Sequence, residues 1–144
     1  MSRHSYSRCW LHIIWGTLER RKSINKAARV KISTYLYEYS RSKEIYMKVN
    51  YVNADHVHTI IDLPAKYSIK ETVRLLKGGS SHWINKNGII ANNFSWGRGY
   101  GVFSVSQSNI QKVIKYINNQ EEHHKKTSFM DEFKSYIKIY ESPD

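Results

Sequence analysis

Between residues 8 and 105 the chain switches repeatedly between strand-like and helix-like hydrophobic patterns, and the order of those switches limits its fold more than anything else. Arg8 to Thr17 (RCWLHIIWGT) is short, aromatic and β-branched, as a buried strand would be. The basic cluster Arg20-Arg21-Lys22 follows in a connector. Asn25 is then placed to cap a helix to about Ser42, with Ala28, Ile32, Tyr35, Leu36 and Tyr39 on one face. Ile45 to Val52 and His56 to Leu63 read as strands of a hairpin turning at Asn53-Ala54-Asp55, and Pro64 closes the second. Ser68-Ile69-Lys70-Glu71 has the form of a capping box opening a helix through about Asn85. Gly78-Gly79 interrupts that helix at a cost of about 1 kcal/mol per glycine. A kink, tight helix packing or a close phosphate contact would each account for the pair. The loop Gly97-Arg98-Gly99-Tyr100-Gly101 leads into a strand over Tyr100 to Val105.

Strand, helix, strand, strand, helix, strand is the βαββαβ order of a ferredoxin-like, antiparallel α+β sheet with helices on one face. Such a sheet is expected to keep its other face free for a partner. Beyond it, Ser108 and Gln111 suggest another capping box, opening a helix to about His124, and a last amphipathic helix is expected from about Ser128 to Tyr140. Nothing in the composition divides the chain, so residues 1–144 are expected to form one domain.

Charge narrows the partner. Lys and Arg number 23 against 12 Asp and Glu, a net charge of +11 and a pI near 9.7. An excess of that size favours a polyanion, because each neutralised phosphate releases counterions. Nucleic acid is the first candidate, ahead of a membrane surface or an acidic protein. Cys9 is the single cysteine, which excludes an internal disulfide and a cysteine-based zinc site. No stretch approaches the ~20 apolar residues of a membrane span, and the N-terminus lacks a signal-peptide core. The expected location is the cytoplasm.

Two places carry potential chemistry. On a strand, His56 and His58 point to one face with alpha carbons about 7 Å apart, close enough for both imidazoles to meet one metal ion. An isolated pair of this kind is more often simply hydrogen-bonded. On the helix after Ser108, Ile110, Val113, Ile114 and Ile117 form the buried stripe. Tyr116 and Gln120 lie together on one flank of it, four residues apart. A half-buried packing role is the plainer reading of Tyr116, one of 11 tyrosines. The run Gln120-Glu121-Glu122-His123-His124 reads as a solvated helix end more readily than as a second metal site.

Taken together, Asp55-His56-Val57-His58, Gly99-Tyr100-Gly101-Val102-Phe103-Ser104-Val105-Ser106 and Lys115 through His124 resemble the compact single-tyrosine HUH transposases. These are the TnpA type of small insertion sequences, with their REP-associated relatives. The resemblance runs over nearly the whole chain with the motifs in order. It departs at Ala54, where relatives often have proline, and at the C-terminus, where many extend further. It implies a ferredoxin-like, usually dimeric domain that recognises hairpins in single-stranded DNA near the ends of a mobile element. By matching positions, Tyr116 would be the nucleophile, and His56, His58 and Gln120 would hold a divalent ion, Mg²⁺ or Mn²⁺. A phenol, with a pKa near 10, needs such help to attack a phosphodiester at neutral pH, and the 5′-phosphotyrosine formed would conserve the bond energy for rejoining. Arg20, Arg21, Lys22, Arg74, Lys77 and Arg98 are candidate phosphate contacts. The main alternative is a non-cutting single-strand or hairpin-binding regulator on the same scaffold. An RNA-binding domain would need an aromatic RNP-type strand, and none is evident.

Overall fold

The computed structural model describes residues 5–120 together with Asp131 and Lys134. Its elements are β1 (Trp10–Gly16), α1 (Lys26–Ser42), β2 (Tyr46–Val52), β3 (His56–Asp62), α2 (Ile69–Lys86), β4 (Gly101–Val105) and α3 (Ile110–Asn118), with a short 3-10 turn at Leu18–Arg20. The strands lie in the order β2-β3-β1-β4, and every neighbouring pair is antiparallel. The expected βαββαβ sheet is therefore present. β1 is central and buried at every position, which is why its sequence is continuously apolar rather than alternating.

Local chemistry sets the helix starts. The Asn25 side chain accepts the Ala28 N–H at 2.8 Å. Ser68 Oγ accepts the Glu71 N–H at 3.0 Å while the Glu71 carboxylate accepts the Ser68 N–H at 3.0 Å, completing the capping box. Those bonds, the backbone one first, hold the Glu71 carboxyl below the usual carboxylate range. A group with a lowered pKa in the folded state stabilises the fold above its unfolded pKa, and the contribution fades as pH falls through the folded one. Ser68→Ala removes only the Oγ cap and should lower stability by denaturant melting at every pH. Glu71→Gln, by contrast, should lose stability at pH 7, with the difference from wild type shrinking in acid. A Glu71→Gln deficit that grows in acid would contradict the box.

Gly78-Gly79 does not break α2. The Gly79 side of α2 lies against the Tyr39 ring, where a Cβ would collide, and Tyr35 Oη donates to the Gly79 carbonyl at 3.2 Å. Tight packing against α1 is thus the use of this glycine, supported by Tyr35 stacked on Trp83 at 4.4 Å.

Two apolar layers sandwich the sheet. Leu11, Ile13, Trp15, Val57 and Ile61 meet Ile32 and Leu36 of α1 and Val73, Leu76 and Ile84 of α2. Trp10, Val49, Ile60 and Val105 face the other way, against Ile110 and Ile117 of α3. The second face is not left free as expected, because the apolar stripe of α3 must itself be buried and the sheet supplies the surface. Two further expectations change. The N-cap of α3 is Asn109 with no side-chain bond, and Ser108 Oγ instead meets Ser106 Oγ at 3.1 Å, so the Ser108–Gln111 box does not form. α3 also ends at Asn118, with Asn119 as its C-cap where two asparagines of low helix propensity meet, although Gln120 beyond the break is again helical. Residues 121–124 lie outside the described residues, as does the last expected helix except at Asp131 and Lys134. Among the described residues no helix is long and apolar enough to cross a membrane.

Candidate active site

The histidine strand sits beside the central strand. His56 pairs across the sheet with Gly16, His58 with Ile14, and Ile60 with His12. With a side-chain period of two, His56, His58 and His12 all project onto the face covered by α3. All three are fully buried.

Their contacts fix how the rings are turned. The Asp55 carboxylate lies 2.8 Å from His56 Nδ1, so that nitrogen carries the proton and donates it. His56 Nε2 is left with its lone pair, and it accepts an amide N–H from Asn53 at 3.1 Å. His58 Nε2 lies only 3.2 Å from the same atom. On its other side, His58 Nδ1 is 3.0 Å from His12 Nε2, and those two rings stack with centroids 5.2 Å apart. The two Nε2 atoms thus converge on one point, while each Nδ1 is held from behind. That is how histidine ligands are oriented in metal sites, where a carboxylate or similar acceptor holds the far nitrogen.

α3 sets the Tyr116 ring beside His58. Tyr116 packs at the margin of the apolar cluster, its ring edge-on to His58 with centroids 6.4 Å apart. Gln120 falls just past the end of α3, so the expected continuous helical flank is broken by the Asn119 cap. Its side chain is nevertheless fully buried, and among the described residues neither end of the amide has a hydrogen-bond partner. An orphaned buried amide costs about 1–3 kcal/mol, a penalty more often met where a ligand satisfies the group. Among the described residues no three His, Cys, Asp or Glu side chains form a metal cluster. An ion between His56 and His58 would therefore take its other ligands from amides, water or substrate. In their donor chemistry, two imidazole nitrogens, an amide oxygen and open positions for water or phosphate fit Mg²⁺ or Mn²⁺.

Basic side chains border the His56 end of the sheet. In the turn after β1, Glu19 and Arg20 both adopt φ 56°, a left-handed conformation costing roughly 1–3 kcal/mol for a non-glycine residue. The turn folds the Arg20 guanidinium back over Gly16, the residue paired with His56, in space that a Cβ would fill. Partial burial lowers the Arg20 pKa, and the nearby Asp55 carboxylate opposes that shift. Arg21 makes an exposed pair with Glu19 at 3.4 Å, and Lys22 is exposed. The loop before β4 is tied to the same end, since Gly97 N–H donates to the Gly16 carbonyl at 2.8 Å. Lys77 has partners within the chain. Its ammonium donates to the carbonyls of Gly97, Arg98 and Gly99 at 2.6, 3.2 and 3.3 Å, clamping this loop to α2. Arg98 itself and Arg74 are exposed.

Sequence reasoning singled out His56, His58, Tyr116 and Gln120 but not His12 or Asn53, whose side chains meet His58 and His56. His12 lies within an apolar run and reads as core. Only the β1–β3 register places it behind His58.

A buried histidine pair on a sheet strand, faced by a tyrosine on a covering helix, defines the single-tyrosine HUH class. The family of IS200-like transposases matches residues 5–120, and the chain belongs to it. The transposases for insertion sequence element IS200 of Salmonella typhimurium and Salmonella typhi are each 28% identical to it over 127 residues, 85% of this chain and 83% of theirs. Among solved structures, a candidate transposase of Deinococcus radiodurans matches with a TM-score of 0.67 at 21% identity, covering 83% of this chain and 96% of the other. A REP-associated tyrosine transposase bound to a REP hairpin matches with a TM-score of 0.63 at 15% identity, covering 86% and 74%. These two likenesses show the fold. Family membership makes DNA the partner, and DNA cleavage and strand transfer the chemistry.

Proposed function

We propose that this transposase cleaves and rejoins single-stranded DNA next to hairpins at the ends of its element, with Tyr116 as nucleophile. The observation that carries this reading is the Tyr116 ring set against His58 at a point where two imidazole nitrogens converge 3.2 Å apart. The Tyr116 phenolic oxygen attacks the scissile phosphorus and forms a 5′-phosphotyrosine. The bond to the 3′-oxygen breaks, and that oxygen leaves as a 3′-hydroxyl carrying the proton. Attack by a 3′-hydroxyl of another strand reverses the step without ATP. His56, His58 and Gln120 would hold a divalent ion, which when bound would supply charge stabilisation and orientation at the phosphate. His56 and His58 contribute unprotonated Nε2 atoms, and Gln120 contributes its amide oxygen. Arg20, at the edge of this point, with Arg21, Lys22, Arg74 and Arg98, supplies charge along the strand. Lys77 acts through the loop it clamps.

The hairpin preference is supported by the REP-hairpin complex of the structural neighbour, and a homodimer by the family resemblance. The test uses hairpin DNA with a single-stranded flank, labelled at one end or the other. Incubation with Mg²⁺ or Mn²⁺ should leave label on protein only when it marks the 3′ end, and EDTA should abolish the adduct. Retention of 5′-end label instead would reverse the proposed polarity and overturn the mechanism.

A further inference from the structure

We propose that His12 is a positioning residue that sets the tautomer of His58, and with it the affinity of the site for its divalent ion; this rests on the metal reading above. Asp55 already fixes His56 with its proton on Nδ1. His58 has two neutral arrangements. In one, Nε2–H points at the His56 lone pair across 3.2 Å, and Nδ1 accepts from His12 Nε2–H across 3.0 Å. In the other, Nε2 presents a lone pair to the shared point, and Nδ1–H donates to His12 Nε2. Only the second leaves His58 able to bind a cation. Passing from the first to the second moves the His58 proton from Nε2 to Nδ1 and the His12 proton likewise, with no net charge change. His12 is thus the acceptor that the ligand form of His58 requires.

The position suits that task. His12 is fully buried on the central strand, opposite Ile60 and Phe103, and its ring is nearly parallel to that of His58 at 28°. Its Nε2 is engaged by His58 Nδ1 at 3.0 Å, on the side of that ring away from His56. Acceptors behind metal-bound histidines typically change metal affinity 10–100-fold when removed.

The test measures Mn²⁺ binding by the full chain without DNA, from the EPR signal of free Mn²⁺. His12→Phe keeps a ring against His58 and Phe103 but has no acceptor, and its affinity should fall about 10–100-fold. His12→Gln returns an acceptor at a similar reach and should recover most of the loss. Wild-type affinity in His12→Phe, or equal loss in the two folded variants, would overturn the proposal. His56→Ala separates the two levels of inference. If it too binds Mn²⁺ like wild type, the metal reading itself is wrong; if it alone loses binding, only the role of His12 is wrong. Histidine-selective ¹⁵N NMR of the Mg²⁺-loaded wild type needs no variant. His58 should carry its proton on Nδ1, and a proton on Nε2 would contradict the proposal even if every His12 variant failed to fold.

Discussion

Tyr116→Phe should abolish covalent adduct formation while leaving hairpin DNA binding within a few-fold of wild type. Losing the nucleophile of a covalent mechanism removes the pathway itself, so cleavage should fall by at least roughly 1000-fold. The fold has little reason to change. Tyr116 packs at the margin of the second apolar cluster, whose buried members are Trp10, Val49, Ile60, Val105, Ile110 and Ile117, and phenylalanine keeps the ring that touches it. On the proposed reading, binding draws on basic side chains outside this ring and should keep its salt dependence. An adduct that survives the substitution would move the chemistry to another residue.

Gln120→Met should act on stability and on chemistry in opposite directions. Among the described residues neither end of the buried Gln120 amide has a partner, and methionine fills similar space without that penalty in EDTA. The variant should therefore be more stable by about 1–3 kcal/mol in thermal or urea melts. With metal present, cleavage should fall at least about tenfold at low Mn²⁺, because the proposed amide ligand is gone. Gln120→Ala should show the same loss of cleavage, with partial recovery at high Mn²⁺. A destabilised Gln120→Met with unchanged metal dependence would place Gln120 in the core rather than in the site. Stability gained where function is lost is the usual mark of a polar group kept for a ligand.

Much of this architecture was legible in the residues because it depends on local rules. Asn25 and Ser68 announce helix starts by chemistry that acts over three residues, and both caps form. His56 and His58 share a face by the period of a strand alone. What escaped depends on pairing between distant segments. His12 reaches His58 only through the antiparallel register of β1 and β3, 46 residues apart in sequence. Lys77 looks like a surface cation until the Gly97–Gly99 carbonyls close on it from 20–22 residues away. The covered second face escaped for the same reason, since the α3 stripe was visible but its destination was not. Tyr116 stands between these cases. Periodicity placed it at the margin of a buried stripe, the family resemblance gave it a role, and the fold set it against His58.

The most direct measurement is mass spectrometry of the protein–DNA adduct after nuclease trimming and proteolysis. The account predicts a single nucleotide-modified peptide with the modification on Tyr116. Modification of any of the other tyrosines, or of a serine or histidine, would contradict it.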